Sequence, residues 1–438
     1  MAIDVPARIA VLGAGPIGLE AALYARFLGY DVQVYERGEV AHHVRQWGHV
    51  TMFSPFRFSR STLGLAALAA HDPSWKRPQE DTPLTGRQWA ERYLIPLSQT
   101  DLLVDAIRLR TEAIAVSREG AIKTDDAGSD PCDRSPFRIL LRGADGQEQT
   151  ASADVVIDST GVFGNPNPMG AGGIPAVGES NLRDRIRYGL PDVLGCDRHE
   201  FAGRHTLVVG AGCSAATTVV ALSQLSQEAP GTRVTWVVRR QYPPDAKGPI
   251  DHIPHQLLVH RDRLVQQASH CATGGQPQVT FLPGTMVHAV QWEEDQGQLG
   301  VQLTSRNQGL RPFDQIVCQT GFRPDVAMCR ELHVHPCYIT EGPSKLAAWL
   351  SGPGSREGPD QPCAGGDTLC LPEPNFYILG SKSYGRHSSF LFAAGLDQIR
   401  RLFTVIGDRA NLDLYANMDR LISAGPFSST SNHGGGCV

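Results

Sequence analysis

The feature that most constrains this chain is a glycine-rich turn that occurs twice, each time between an apolar segment and an Ala-rich one. The first glycine turn, residues 13–18, reads Gly-Ala-Gly-Pro-Ile-Gly, and the second glycine turn, residues 210–215, reads Gly-Ala-Gly-Cys-Ser-Ala. A short apolar stretch of strand length precedes each turn, at residues 8–12 and 206–209. A stretch that suits a helix follows each turn, at residues 19–28 and 216–224. Strand, glycine turn and helix in this order predict an α/β chain with two Rossmann-like dinucleotide-binding domains.

The first glycine turn has each part that a dinucleotide site needs. Gly13 permits a tight turn, Gly15 lets the backbone approach a pyrophosphate, and Gly18 lets the helix pack closely on the strand. The helix that follows presents free N–H groups to that pyrophosphate. Glu36 ends the next strand, where a carboxylate accepts hydrogen bonds from ribose hydroxyls and repels a 2′-phosphate. The first turn is therefore predicted to bind FAD or NAD.

The second glycine turn differs at the corresponding positions. Ala215 replaces the third glycine, and Arg239 and Arg240 follow the strand at residues 233–238, where the acid would stand. A guanidinium there pairs with a 2′-phosphate, so NADPH is the predicted ligand. The alternative is that both arginines are solvated charges at a strand end. Cys213, inside this turn, is interpreted as a small filler rather than as a redox thiol.

Two dinucleotide sites in one chain suggest electron transfer between them. A nucleotide that donates hydride needs an acceptor nearby, and a flavin accepts hydride from nicotinamide. The predicted cofactors are therefore FAD and NADPH.

Over most of residues 1–410 the order of motifs resembles the two-dinucleotide-binding-domain flavoproteins. Thr160-Gly161 follows the first turn and Thr320-Gly321 follows the second, as at the domain crossings of that superfamily. Gln46-Trp47-Gly48 and Gly203-Arg204-His205 resemble segments of its class B flavin-containing monooxygenases and N-hydroxylases. The chain lacks the CxxC or CxxxxC pair of the thioredoxin reductase branch, and residues 197–201 match the class B motif FxGxxxHxxx(Y/F) only in part.

The resemblance implies a domain arrangement and an activity. A discontinuous FAD domain comprises residues 1–165 and 322–438, with 428–438 as a flexible tail, and an NADPH domain is inserted at residues 166–321. The implied activity is oxygenation of a soft nitrogen or sulfur nucleophile through a flavin hydroperoxide. Two alternatives stay open: an NADPH-dependent reductase of a quinone, disulfide or metalloid, and a flavin-bound redox sensor.

Cofactor contacts are predicted for residues of the two turns, the strand ends, the crossings and a C-terminal loop. They are Gly13, Gly15, Pro16, Ile17, Gly18, Glu36, Arg37, Gln46, Trp47, Thr160, Gly161, Gly210, Gly212, Cys213, Ser214, Ala215, Arg239, Arg240, Thr320, Gly321 and Lys382. Polar residues near the expected flavin are the candidates for contact with substrate or catalysis: Ser54, Tyr384, Arg386 and His387.

Charge and hydropathy narrow the range of partners. The net charge is −5 without clusters of Lys and Arg, which argues against nucleic acid. No stretch approaches the roughly 18 apolar residues of a membrane span, and the N-terminus does not read as a signal peptide, so a cytoplasmic protein is expected. The expected partners are a small-molecule substrate and dioxygen or another electron acceptor, and a homodimer is compatible with the sequence.

Cysteine and histidine give no metal prediction. The ten cysteines are scattered and are interpreted as reduced thiols, with Cys437 on the C-terminal tail. His252, His255 and His260 lack a Cys or carboxylate at ligand spacing and are interpreted as a surface cluster.

Overall fold

The computed structural model describes residues 3, 5–125, 135–242, 248–250, 258–304, 309–352 and 365–416. Within these ranges the strands form two parallel five-stranded sheets and two antiparallel three-stranded sheets. The strands are β1 Arg8–Leu12, β2 Asp31–Tyr35, β3 Ile107–Arg108, β4 Thr111–Arg118, β5 Phe137–Gly143, β6 Glu148–Ala153, β7 Val155–Asp158, β8 Ile186–Arg187, β9 His205–Val209, β10 Arg233–Val238, β11 Val279–Pro283, β12 Val287–Glu293, β13 Gln298–Leu303, β14 Arg311–Phe313, β15 Gln315–Cys318 and β16 Phe376–Ile378.

Helices connect and cover these strands. The α-helices are α1 Pro16–Phe27, α2 His42–Gln46, α3 Thr62–His71, α4 Gly86–Trp89, α5 Ile95–Ser98, α6 Arg198–Phe201, α7 Cys213–Glu228, α8 Val259–Ala272, α9 Ser344–Leu350 and α10 Phe392–Ile406. A π-helical stretch, Ala90–Leu94, joins α4 to α5. Short 3₁₀ helices lie at Phe56–Phe58, Ala171–Gly173, Glu179–Arg185, Ala327–Cys329, Gly366–Leu369 and Gly380–Tyr384.

The first large sheet, in the order β16-β7-β1-β2-β3, combines strands from both ends of the described chain. Leu12 pairs with Tyr35 on one side and with Asp158 on the other, and Ile378 pairs with Asp158. The carboxyl ends of four parallel strands therefore meet at one edge, where ligands of such sheets bind.

The second large sheet, in the order β11-β10-β9-β15-β8, repeats this arrangement. Val209 pairs with Val237 and with Cys318, so the carboxyl ends of β9, β10 and β15 also share an edge.

Each large sheet is covered on both faces, as shown by alternating residues of its central strand. Ile9 and Val11 of β1 pack in a core that includes α1 and α10, whereas Ala10 and Leu12 pack against β4–β6. In the second sheet Val208 packs with α7 and α8, and its neighbours in sequence face β12–β14. Period-two alternation thus places a helical layer on one face and a small antiparallel sheet on the other.

The predicted α/β class with two Rossmann-like units is confirmed, with differences in detail. The first helix begins at Pro16 rather than Leu19, because a proline at the first position suits a helix start. Residues 153–158 form one apolar run in the sequence, but the structure divides this run at Asp154, which lies between β6 and β7 and accepts hydrogen bonds from Arg8. The run at 313–318 divides in the same way at Asp314. The domain boundaries proposed from sequence stay predictions.

Several expectations concern other parts of the chain. His252, His255, Cys437 and the tail at 428–438 lie outside the described residues, and His260 lies in the first turn of α8. Within the described ranges there is no cluster of three or more His, Cys, Asp or Glu residues that could hold a metal ion. No helix in those ranges is long and apolar enough to span a membrane.

Candidate functional site

The first glycine turn joins β1 to α1 at the carboxyl edge of its sheet. Gly13 has a φ of +97°, and its N–H donates to the carbonyl of Tyr35 at 2.8 Å. A Cβ on Gly18 would lie 1.9 Å from the carbonyl oxygen of Gly13, so only glycine fits there. A Cβ on Gly15 would meet no described atom within 4 Å. The turn is thus tightly closed on the sheet side and open above Gly15, where α1 begins with Pro16.

Glu36 lies beside this turn with 8% of its surface exposed. Its carboxylate accepts hydrogen bonds from the N–H groups of Ala14 and Gly38, each at 2.8 Å. Since two carboxylate oxygens have about four acceptor positions, capacity remains for ribose hydroxyls. Glu36 therefore both orders the turn and fits the predicted role.

The end of β7 brings three predicted contact residues together around Asp158. The Lys382 ammonium donates to Asp158 Oδ2 at 2.6 Å and to Thr160 Oγ1 at 3.0 Å, and Thr160 Oγ1 donates to Asp158 Oδ1 at 2.7 Å. Gly161 follows with a φ of +71°, and a Cβ on it would lie 3.5 Å from Ser381 Oγ. Lys382 is 1% exposed, so its charge acts from inside the fold rather than from the surface.

The start of α10 packs against the start of α1 through Ile17. Positions for a Cβ on Gly380 and on Gly395 lie 3.3 and 2.2 Å from atoms of the Ile17 side chain. Gln398 of α10 accepts from the Gly380 N–H at 2.9 Å and donates to Ser383 Oγ at 2.8 Å. The starts of α1 and α10 therefore lie close together at this edge. The first N–H groups of each helix have no partner within the helix and are free to bind a ligand.

The second glycine turn repeats the geometry of the first. Gly210 has a φ of +143°, and its N–H donates to the carbonyl of Val237 at 3.1 Å. A Cβ there would lie 2.2 Å from the Gln319 carbonyl oxygen, whereas a Cβ on Gly212 would meet no described atom within 4 Å. Ser214 is exposed and Ala215 is buried against the sheet.

Side chains near the second turn bear on two predictions, the choice of nucleotide and the role of Cys213. Arg239 and Arg240 are exposed directly after β10, and neither guanidinium forms an ion pair with a residue in the described part of the chain. Burial raises the pKa of the Cys213 thiol, an effect that Arg261 partly opposes. A raised thiol pKa disfavours the reactive thiolate, which agrees with the interpretation of Cys213 as a filler.

Asn167 connects the two stretches of chain that pass between the large sheets. Its side chain accepts from Arg323 Nε at 2.8 Å and donates to the carbonyl of Thr320 at 3.2 Å. Its backbone N–H donates to the carbonyl of Gly321 at 2.9 Å, and its carbonyl accepts from Thr320 Oγ1 at 2.8 Å. The two crossings are therefore hydrogen-bonded to each other beside Thr320 and Gly321.

The segment after β2 holds the other predicted contacts in an aromatic and polar cluster. Arg37 and Gln46 each bond a ring nitrogen of His43, at 3.2 and 3.0 Å. The His43 ring stacks on Phe163 of the first crossing, with centroids 5.9 Å apart. Trp47 packs on Gly86, and its buried Nε1 has no hydrogen-bond partner among the described residues.

The four catalytic candidates differ in position. Ser54 is half-buried before the Phe56–Phe58 turn. Tyr384 is 5% exposed in an apolar cluster, with its ring 5.2 Å from that of Phe390. Arg386 and His387 are exposed, and Arg386 approaches Glu341 at 3.5 Å. Their roles stay predictions.

Comparisons with known proteins agree on the fold. No protein-family model matches this chain, and no curated protein sequence matches it. Among solved structures, bacillithiol disulfide reductase Bdr (YpdA) from Bacillus cereus is similar, with a TM-score of 0.62 and 17% identity over 92% of this chain and 99% of that one. The cadaverine monooxygenase DfoA from Erwinia amylovora has a TM-score of 0.59 and 14% identity over 93% and 95% of the two chains. The ornithine N-hydroxylase KtzI from Kutzneria sp. 744 has a TM-score of 0.56 and 15% identity over 92% and 99%.

This chain shares the fold of these solved structures. The resemblance inferred from the motif order is confirmed at the level of fold, and the similarity extends to a disulfide reductase, a monooxygenase and an N-hydroxylase alike. Within this fold, the two glycine turns lie at the sheet edges where parallel sheets bind dinucleotides.

Sequence reasoning missed the residues that organise the strand ends. Asp158 and Asn167 bond groups 224 and 153 positions away along the chain, and Gln398 bonds groups 18 and 15 positions away. Asp158 carried one signal, since it is a charge at the end of an apolar run directly before Ser159-Thr160-Gly161. Asn167 carried none, whereas the sequence places Gln398 on one face of the helix expected at residues 390–406, together with Leu391 and Ala394.

Proposed function

We propose that this chain is an FAD-dependent NADPH oxidoreductase, with FAD at the first glycine turn and NADPH at the second. The observation that carries the proposal is the presence of two such turns, each at the carboxyl edge of its own parallel sheet, in a chain whose crossings are hydrogen-bonded together. Bound FAD would supply an acceptor for hydride from the nicotinamide.

The residues at the first turn fit FAD. The space above Gly15 leaves room for a pyrophosphate, and the Glu36 carboxylate has acceptor capacity for ribose hydroxyls. The Trp47 Nε1 atom is a buried donor with no partner among the described residues. Such a donor is costly without an acceptor, and a carbonyl or ring nitrogen of the cofactor would satisfy it.

The residues at the second turn fit NADPH. Gly212 is as open as Gly15, and the exposed Arg239 and Arg240 suit a 2′-phosphate. The Gln319 Oε1 atom, buried next to Thr320, has no hydrogen-bond partner among the described residues, and a donor on the nucleotide would satisfy it.

The finer proposal is a monooxygenase that acts on a soft nitrogen or sulfur nucleophile. The reaction consumes NADPH, a proton, dioxygen and substrate, and yields NADP⁺, water and the oxygenated substrate. Support comes from the absence of a CxxC or CxxxxC pair in the sequence and from the similarity to a cadaverine monooxygenase and an ornithine N-hydroxylase.

A second candidate is an NADPH-dependent reductase, in which a disulfide substrate and NADPH with a proton yield two thiols and NADP⁺. The specific observation in its favour is the similarity to bacillithiol disulfide reductase, whose fold matches over nearly the whole chain.

Spectroscopy and isotope labelling test these proposals in order. The purified protein is expected to be yellow and to be bleached by NADPH without air. With ¹⁸O₂ and a panel of amines and thiols, a monooxygenase yields labelled product, whereas a reductase yields only peroxide in air and reduces a disulfide or quinone without air. A colourless protein that does not take up added FAD would contradict the proposed function.

A further inference from the structure

We propose that Lys382 and Asp158 are positioning residues whose buried ion pair biases the reduction of the flavin bound at the first glycine turn. The inference rests on the proposed function and adds residues that act on the cofactor through their charges. Neither residue needs to touch the reacting atoms.

The pair lies at the meeting point of two strand ends. Asp158 ends β7 and Lys382 lies in the 3₁₀ helix after β16, with exposures of 0% and 1%. Their charged atoms are 2.6 Å apart, and Thr160 Oγ1 contacts both. The surrounding strand residues Leu12 and Ile378 are buried and apolar.

The same pair adjoins the turn that is proposed to hold FAD. The carbonyl oxygen of Ser159, the residue after Asp158, lies 3.1 Å from the position of a Cβ on Gly13, and Ser159 Oγ donates to the Leu12 carbonyl at 2.8 Å. Lys382 is preceded by Ser381, whose Oγ faces Gly161. Each charged residue is thus adjacent in sequence to a serine at the carboxyl edge of this sheet, beside Gly13 or Gly161.

Stability alone gives little reason for such a pair. Apolar residues of similar volume often replace a buried ion pair with no loss of stability, because the two charges must be removed from water. A buried charge does act strongly on its neighbours, since the surrounding dielectric is low. The Cys329 thiol illustrates this effect. Burial raises its pKa to about 11, and among the weaker influences Asp158 raises that pKa while Lys382 lowers it.

The two charges are expected to act in opposite directions on the cofactor as well. Two-electron reduction with uptake of one proton leaves a flavin with a negative charge, which a nearby cation stabilises and a nearby carboxylate destabilises. The ratio of reduced to oxidised flavin at a given applied potential therefore depends on both residues.

The test compares Lys382→Met and Asp158→Asn in the full chain loaded with FAD. Each protein is reduced with dithionite without air beside a reference dye, and the ratio of reduced to oxidised flavin is read at a fixed dye ratio and pH. We expect Lys382→Met to lower the ratio about tenfold and Asp158→Asn to raise it by a similar factor. Lys382→Arg, which keeps the charge, is expected to stay within twofold of the wild type.

A purely structural pair gives a different result. Loss of packing or of a hydrogen bond would move both single variants in the same direction, or would lower flavin retention and the unfolding temperature with no change in the ratio. Either outcome overturns the inference.

Single variants leave one buried charge unpaired and can fail to fold. Whichever single variant folds is then compared with the double variant Lys382→Met/Asp158→Asn. The inference requires a higher ratio of reduced to oxidised flavin in Asp158→Asn than in the double variant, or a lower ratio in Lys382→Met, and the opposite sign overturns it. If neither folds, the double variant is compared with the wild type. Because the two opposing effects cancel, the ratio of reduced to oxidised flavin is expected to stay within about threefold of the wild type, and a larger change overturns the inference. A wild-type chain that takes up no FAD overturns this inference together with the proposed function, whereas a yellow, NADPH-reducible wild type with unshifted variants overturns this inference alone.

Discussion

Glu20 is a carboxylic acid in the middle of α1 whose side chain is completely buried. Tyr93 donates a hydrogen bond to its Oε1 at 2.6 Å, whereas Oε2 has no partner among the described residues. Burial raises the pKa of Glu20 to about 7, although the hydrogen bonds with Tyr93 and Ser61 oppose the rise. Burial wins because the low dielectric penalises the charged form.

This pKa predicts a pH-dependent stability. In the unfolded chain Glu20 ionises near its ordinary value of 4.5, whereas in the folded chain it stays protonated up to about pH 7. Its contribution to stability is therefore fully present below the unfolded pKa and is lost as the pH rises through the folded pKa. Urea unfolding is expected to show a fall on the order of 3 kcal/mol between those limits.

Glu20→Gln should remove this part of the pH dependence, while the exposed control Glu91→Gln should keep it. An equal slope in both variants would mean that Glu20 is ionised in the folded protein.

Arg239 and Arg240 carry the predicted choice of NADPH over NADH. Replacing both with Ala is expected to reduce the preference for NADPH about tenfold or more, because charge-assisted bonds to phosphate are each worth roughly 1.5–3 kcal/mol. The preference is measured as the ratio of rate constants for flavin reduction by the two nucleotides at low concentration. Arg233→Ala, at the other end of β10, is the matched control. An unchanged preference in the double variant would show that the two arginines are solvated charges that do not determine the choice of nucleotide.

At the scale of elements, two glycines of the first glycine turn are expected to have different roles: Gly18 is needed for folding and Gly15 for binding of the cofactor. A Cβ on Gly18 would collide with the Gly13 carbonyl, whereas a Cβ on Gly15 would enter open space. Gly18→Ala is therefore expected to lower the free energy of unfolding by about 3 kcal/mol. Gly15→Ala is expected to leave the apoprotein stable and to weaken FAD binding at least tenfold, since the methyl group would occupy the position of the pyrophosphate.

Thermal unfolding of the apoprotein and titration with FAD measure these two effects separately. FAD binding that survives in Gly15→Ala would place the cofactor elsewhere.

The packing of α1 against α10 depends on the match between Ile17 and Gly395. A Cβ on Gly395 would lie 2.2 Å from Ile17 Cδ1, so Gly395→Ala is expected to cost about 1–3 kcal/mol. Ile17→Ala makes room for that methyl group. In a double-mutant cycle the combined variant should be more stable than the sum of the single effects by about 1 kcal/mol. Additive effects in urea unfolding would show that the two helices do not meet at this contact.

At the scale of the molecule, the two stretches of chain that pass between the large sheets are hydrogen-bonded to each other at Asn167. Asn167→Ala removes the side-chain bonds to Thr320 and Arg323 and should cost about 1–3 kcal/mol. It should also slow flavin reduction by NADPH about tenfold, because a small misalignment of two reactants has a large effect on rate. Flavin retention and reduction by dithionite should not change.

Asn165→Ala is the control for this effect, since its amide makes one long bond of 3.3 Å to the Pro324 carbonyl. Stopped-flow absorbance measures both rates. Equal rates in Asn167→Ala and the wild type would mean that the crossings do not set the alignment.

Local features of the sequence were sufficient to predict both Rossmann-like units. Each strand, glycine turn and helix spans fewer than thirty neighbouring residues, and a glycine that needs a positive φ or a close backbone approach is a local requirement. For this reason the bounds of β1 and β10 agree with expectation residue by residue. The same reasoning predicted the two glycine turns and, at Gly15, a close approach of the backbone to a ligand.

Only the tertiary structure decided how distant segments meet. It paired β16 with β7, placed β4–β6 against β1, and joined Lys382 to Asp158 across 224 positions of sequence. A residue at a strand end shows by its type what it can bond, but its partner is set by the sheet order and by the packing of both faces. Local periodicity does not encode the order of strands in a sheet, because that order results from the burial of the whole apolar surface at once.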